Sequence, residues 1–252
     1  MNSSTKKSIS KKQTQPTLFI SKECSRRIIQ DVRNIMKNPL DEHSIYYIHD
    51  EEDILTGYAM IVGGEDTPYF GGYYFFRFRF TSNYPFEPPI VDYCTNDGAT
   101  RFNPNLYINR KTCLSILNTW RGEQWSACQS ISTILLSLST ILCKNPLLNE
   151  PNIKSTHRDF DRYTKTIEYA NISTALCDVI LKTPYLHLSF FDLFEPQIEK
   201  HFRKNVEKIE TFCKQYTTPE IIIVNVYSMV TRVNYEVVLA KLDLCKLKYQ
   251  ME

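Results

Sequence analysis

An α+β fold is what this sequence predicts, and three observations carry the expectation. A segment with helical apolar spacing opens the ordered part, four short segments of strand character follow in a row, and helical spacing then returns for the rest of the chain. Residues 1 to 16 come before all of this. They are rich in Ser, Lys, Thr and Gln and end at Pro16, too polar to bury the apolar area that would offset chain ordering, so a disordered tail is expected there.

From Ser21 to Lys37 the apolar residues Ile28, Ile29, Val32, Ile35 and Met36 recur at helical spacing, and Asn38-Pro39 closes the segment. Lys22, Arg26, Arg33 and Lys37 share a stripe away from that face. Strand character marks Ser44 to His49, Leu55 to Val62 and Tyr73 to Phe80; in the third, Phe76, Phe78 and Phe80 alternate with Arg77 and Arg79, the period of a half-buried strand. Beyond the corner Tyr84-Pro85-Phe86-Glu87-Pro88-Pro89, a fourth strand is expected from Ile90 to Thr95. The chain is then mostly irregular as far as Trp125, and loops of that length in compact domains are often functional.

A helix is expected to begin at Ser126, with Ser126 and Gln129 as a Ser-x-x-Gln capping box and Ile131, Ile134, Leu135, Leu138 and Leu142 facing inward. Asn145-Pro146 stops it. A further helix is expected from Thr156 to about Lys182, ended by Pro184. The remainder reads as two helices, one in the register Ile198, Phe202, Val206, Ile209, Cys213 and one in the register Tyr235, Val238, Leu242, Cys245. Ile221 to Val226, between them, suits a strand or a helix equally.

Thirty basic against twenty-eight acidic residues leave a net charge of +2, so the whole-molecule field makes no case for nucleic acid or a membrane surface, and neither is expected as a partner. Eight cysteines stand singly, without Cys-x-x-Cys pairs or zinc-ligand spacing. That usage suits a reducing compartment. No apolar run resembles a signal sequence or a membrane span, and cytoplasm or nucleus is the expected location.

Function becomes legible in the long loop. Arg101 to Leu117, RFNPNLYINRKTCLSIL, resembles the active-site segment of ubiquitin-conjugating enzymes: a His-Pro-Asn tripeptide, its Asn eight residues before a cysteine, then Cys-Leu-x-Ile-Leu. Here the tripeptide is Asn103-Pro104-Asn105 and the cysteine is Cys113. Tyr84 to Pro89 resembles the family's Tyr-Pro-Phe-x-Pro-Pro corner, and Trp125-Ser126 its Trp-Ser-Pro helix start. Asn145-Pro146 with Asn149-Glu150-Pro151 resembles the stretch that supplies its acidic gate residue. Asn103 in place of His, the Thr119-Trp120-Arg121-Gly122 insertion and Asn149-Glu150-Pro151 are most similar to the long Z-type and BRUCE-type conjugating enzymes.

The resemblance implies the ubiquitin-conjugating fold: an N-terminal helix, a four-stranded antiparallel meander and C-terminal helices. It covers residues 17–183 as the catalytic domain, with 184–252 as an added, mainly helical extension. It implies that Cys113 accepts ubiquitin, or a ubiquitin-like modifier, as a thioester from an activating enzyme, and passes it to a substrate lysine or a ligase. No cofactor is bound, because ATP is used upstream by the activating enzyme. Such a transfer needs a thiolate and little acid–base machinery, which suits a cysteine with no histidine beside it in sequence.

Further roles follow from the resemblance residue by residue. Asn105 either donates to the oxyanion formed when lysine attacks or braces the loop. Glu150 and Tyr107 orient and desolvate the incoming amine. Lys22, Arg26, Arg33 and Lys37 dock the activating enzyme, and Phe86 and Trp125 meet the ligase. Three residues depart from the family pattern: Arg110 where Gly is usual, Ala127 where Pro is usual, and Glu87 where a basic residue is common. A positive φ at Arg110 would be strained. Two rival functions are a silent module that binds ubiquitin or a ligase without carrying a thioester, and a hydrolase with a Cys/His pair.

Overall fold

The computed structural model describes residues 20–251, so the tail expected over 1–16 lies outside the described residues. Helix α1 spans Lys22–Lys37 and is capped by Ser21, whose hydroxyl accepts from the Cys24 amide at 3.0 Å. Its buried face is narrower than expected: Cys24, Ile28, Asp31 and Ile35 face inward, whereas Ile29 and Met36 are exposed. Asp31 tolerates burial because it accepts from the Tyr84 hydroxyl and, at 3.1 Å, from Arg27.

Four strands follow: β1 Ile45–His49, β2 Thr56–Val62, β3 Tyr73–Arg79 and β4 Ile90–Tyr93. They form an antiparallel sheet in chain order, with Tyr46 opposite Met60, Met60 opposite Phe75 and Phe76 opposite Tyr93. The alternation expected along β3 holds at one end, where Phe76 and Phe78 are buried while Arg77 and Arg79 reach Asp92 of β4 at 3.2 and 3.0 Å. At the other end Tyr73, Tyr74, Phe75 and Phe76 are all buried.

The C-terminal third covers the sheet's outer face and removes the alternation there. A 3-10 stretch, Ser189–Phe194, lays Phe191 on Phe75 with ring centroids 3.8 Å apart and Phe190 on Tyr58 at 4.5 Å. Beyond it, the Tyr73 hydroxyl donates to the Ile198 carbonyl at 3.0 Å. Period two marks a half-buried strand only where nothing covers the second face.

Helix α2 spans Ile131–Ile141 and does not start at Ser126 as expected. Gln129 does reach back to the Ser126 amide at 3.2 Å, but this closes an isolated turn. The carbonyls of Ala127 and Gln129, which a helix would use internally, instead accept from Arg27 of α1 at 2.6 and 2.5 Å. Capping falls to Ser130, which exchanges hydrogen bonds with Thr133. Cys128 accordingly sits exposed in the preceding turn.

Helix α3 spans Phe160–Ala170, four residues later than expected, and continues as a π-helical stretch over Asn171–Asp178. The widening begins at buried Asn171, whose Nδ2 donates to the Phe70 carbonyl at 2.9 Å and whose Oδ1 accepts from the Tyr74 hydroxyl at 2.6 Å. Helices α4, Glu195–Cys213, and α5, Tyr235–Lys248, bury the two registers expected of them. Between them the ambiguous stretch is a strand: β5 Glu220–Val224 pairs with β6 Met229–Val233 across a turn at Asn225–Tyr227. Buried side chains from α1 to α5 form one contiguous core. No helix among the described residues is long and apolar enough to cross a membrane.

Candidate active site

Cys113 lies in the irregular stretch between β4 and α2, held in place from several sides. The Tyr93 amide donates to the Arg110 carbonyl at 2.8 Å, and the Tyr107 amide to the Lys111 carbonyl at 2.9 Å, closing a tight turn over residues 107–111. Arg110 takes the left-handed conformation there, φ 70°, the geometry that glycine serves without strain. On the far side, Thr119 Oγ1 accepts from the Leu114 amide at 3.0 Å and donates to the Thr112 carbonyl at 2.9 Å.

Asn105 and Cys113 are bonded twice. The Cys113 amide donates to the Asn105 carbonyl at 2.8 Å, and Asn105 Nδ2 donates to the Cys113 carbonyl at 2.7 Å. The side-chain amide is therefore engaged as a brace for the backbone of Cys113. Asn105 Oδ1 is buried and has no hydrogen-bond partner among the described residues.

Asn103, standing where the family usually has histidine, organises the layer beneath. It is fully buried; its Nδ2 donates to the Tyr69 hydroxyl at 2.8 Å and the Ile141 carbonyl at 2.7 Å, while its Oδ1 accepts from the Asn105 amide at 2.9 Å and Asn149 Nδ2 at 3.4 Å. One residue thus links the cysteine loop, the end of α2 and the segment carrying Glu150. An amide supplies two donor hydrogens and an acceptor at this point, more than an imidazole offers in one plane.

Glu150 and Tyr107 are both half-buried and are joined through Arg101 and Tyr227. The Arg101 guanidinium lies 3.2 Å over the Tyr107 ring and 5.3 Å from the Tyr227 ring centre. Arg101 also donates to the Asn103 and Pro104 carbonyls at 3.1 and 2.7 Å. Glu150 Oε2 accepts from the Tyr227 hydroxyl at 2.5 Å.

Cys113 is only 2% exposed, less than thioester chemistry at its sulfur requires, so the covering residues must yield for a partner to reach it. Yet it differs from the structural cysteines. Cys24, Cys94, Cys177, Cys213 and Cys245 belong to the contiguous core and Cys113 does not. Burial pushes the thiols of Cys94 and Cys213 up to about 11 and about 12, and raises Cys24 and Cys177 as well, which disfavours the nucleophilic thiolate at those positions.

The other sequence-predicted residues lie on the surface. Lys22, Arg26, Arg33 and Lys37 are all exposed on one side of α1, beside exposed Ile29 and Met36. Phe86 is 66% exposed at the tip of the Pro-rich corner. Trp125 is half-buried beside it, its indole nitrogen donating to the Pro85 carbonyl at 2.7 Å and its ring 5.8 Å from that of Tyr84. Glu87 accepts from Asn83 Nδ2 at 3.0 Å.

Sequence reasoning missed Asn103, Arg101, Asp159 and Tyr227. The first two stand inside the recognised motif, and their inward polar character was a usable signal. Asp159 and Tyr227 belong to no motif: Asp159 anchors the turn of the C-terminal hairpin, and only the packing of that hairpin brings Tyr227 to Glu150 and Arg101.

A meander between helices, followed by a cysteine loop braced by an asparagine eight residues upstream, is the architecture of ubiquitin conjugation. The family model for ubiquitin-conjugating enzymes matches residues 27–172, and the chain belongs to that family. Among its relatives, ubiquitin-conjugating enzyme E2 Z of Xenopus tropicalis is 36% identical over 200 residues, covering 77% of this chain and 61% of that protein. The human E2 Z is 40% identical over 161 residues, 63% of this chain and 45% of that one. The human dual E2 ubiquitin-conjugating enzyme/E3 ubiquitin-protein ligase BIRC6 is 32% identical over 206 residues, 76% of this chain but 4% of its own length. The chain therefore spans less than two thirds of the length of these curated relatives.

Proposed function

We propose that the protein accepts ubiquitin, or a ubiquitin-like modifier, on Cys113 and transfers it to a lysine amine or to a ligase. The observation that carries this reading is the double hydrogen bond between Asn105 and Cys113, 2.8 and 2.7 Å, which fixes the backbone of one cysteine among eight. In loading, the Cys113 thiolate attacks the carbonyl carbon of the modifier's thioester on the activating enzyme, and the activating enzyme's thiolate leaves. In discharge, a neutral lysine amine attacks the new thioester, a tetrahedral oxyanion forms, the attacking nitrogen releases a proton to water, and the Cys113 thiolate departs as the isopeptide closes.

Asn105 serves this sequence as the brace of the loop. Glu150, with Oε2 on Tyr227 and Oε1 free of any hydrogen bond among the described residues, receives the incoming lysine amine at the lip of the site. Tyr107, stacked on Arg101, walls the approach. The exposed cations of α1 receive the activating enzyme, and Phe86 with Trp125 forms the ligase contact. Residues 17–183 act as the conjugating domain and 184–252 as an extension that covers the sheet. Eight unpaired thiols suit work in the cytoplasm or nucleus.

The partners of His49, His157, His187 and His201 are Tyr47, the Asp159 amide, Asp192 and Tyr46, and the fifth histidine, His43, is exposed in the turn ahead of β1, which argues against a Cys/His hydrolase. The 2% exposure of Cys113 favours one rival, a silent module that binds without carrying thioester. A single assay separates the two. The protein is incubated with activating enzyme, ATP and ubiquitin: a thiol-sensitive adduct that Cys113→Ala abolishes supports the transferase, and no adduct with any activating enzyme and modifier supports the module.

A further inference from the structure

The C-terminal hairpin does more than cover apolar surface, because its turn reaches Glu150 and Arg101. Asp159, fully buried ahead of α3, accepts from Asn225 Nδ2 at 3.1 Å and from the Val226 amide at 3.0 Å, which fixes the turn. The next residue is Tyr227. Its ring packs 5.6 Å from that of Tyr163, whose hydroxyl donates to the Arg101 carbonyl at 2.7 Å. The Arg101 amide in turn lies 3.2 Å from Met229 Sδ of β6. The hairpin therefore holds Arg101 through its backbone and through the face of Tyr227, while the Tyr227 hydroxyl holds Glu150.

We propose that Tyr227 is a positioning residue for lysine attack: its hydroxyl holds Glu150 by one carboxylate oxygen at the lip of the site and leaves the other for the acceptor amine. This rests on the reading of Glu150 as the residue that receives the acceptor. The geometry is a 2.5 Å hydrogen bond between a neutral donor and a carboxylate, the stronger class of side-chain bond. Burial and the carboxylate beside it push the Tyr227 phenol well above its ordinary range, so it remains a donor throughout the working pH range. The arrangement makes the extension an intramolecular part of the acceptor gate, contributed 77 residues along the chain from Glu150.

The test uses the full chain carrying Tyr227→Phe, which keeps the ring between Tyr163 and Arg101 and removes one oxygen. The protein is loaded with ubiquitin, the activating enzyme is quenched, and discharge to free lysine is followed at several lysine concentrations. The expected result is an unchanged loading rate with a second-order discharge constant lower by about 10-fold. In a Glu150→Ala background, itself slow to discharge, Tyr227→Phe should then change nothing further, because its effect passes through the missing carboxylate. An equal additional loss in that background would make Tyr227 a merely structural residue and overturn the proposal, as would a Tyr227→Phe protein that discharges at the wild-type rate or faster. If Glu150→Ala alone discharges normally, the acceptor reading of Glu150 fails, and this inference with it, whatever Tyr227→Phe does.

Discussion

Removal of the Asn105 side chain tests the brace directly. In Asn105→Ala the Cys113 carbonyl loses the 2.7 Å bond from Nδ2 and no replacement donor is in place. Leaving a buried acceptor unpaired costs about 1–3 kcal/mol. Asn105 Oδ1 is itself buried and unpartnered, and its removal recovers part of that loss. The net cost should therefore fall in the lower half, about 1–2 kcal/mol. For a chain of this size that corresponds to a drop of about 2–8 °C in Tm, at about 2–4 °C per kcal/mol. Asn105→Asp should be worse at neutral pH, since a carboxylate oxygen then faces the carbonyl oxygen. Thermal and urea unfolding measure stability, and loading and discharge of Cys113 are followed separately. Because the bond holds the backbone of Cys113, the proposed nucleophile, both steps should slow in Asn105→Ala. A variant with wild-type stability and loading whose discharge alone falls by about 10²- to 10³-fold would refute the brace and return the amide to the oxyanion.

Three further outcomes follow from the same geometry. Phe191→Ala removes the ring stacked at 3.8 Å on Phe75 and should destabilise the protein by about 3–5 kcal/mol in urea unfolding; a loss below about 1 kcal/mol would mean the extension is not integral to the sheet. Asp159 is opposed by desolvation, but hydrogen bonds from Asn225 and Val226 hold its carboxyl below the ordinary range. Its contribution is therefore present above the unfolded value of about 3.9 and lost as pH falls through the lower folded value. Asp159→Asn should flatten that acid limb of the stability–pH profile, and an unchanged slope would count against the assignment. Reversing charge at the exposed pair Arg26 and Arg33 (Arg26→Glu with Arg33→Glu) should slow loading by about 10-fold or more at low salt, less at high salt, with Tm unchanged. Equal loading at all salt concentrations would place the docking surface elsewhere.

What the sequence determined by itself is local. The four strands, the registers of α4 and α5, and the cysteine loop all announce themselves through period, turn residues or spacing, because each depends on neighbours a few residues away. The resemblance of residues 101–117 carried the chemistry for the same reason: Asn105 and Cys113 are near in sequence and meet in one loop. Where two local signals competed, tertiary contact decided. Ser126 and Ser130 both offer a cap, and Arg27, about one hundred residues away along the chain, draws off the carbonyls that the earlier start would need. Period alone made β3 half-buried, and Phe190 and Phe191 bury its second face. Tyr227 beside Glu150 and Asp159 beneath the hairpin left no trace in any local pattern, since such contacts arise only when distant elements pack into one core and a polar group finds its partner across the chain.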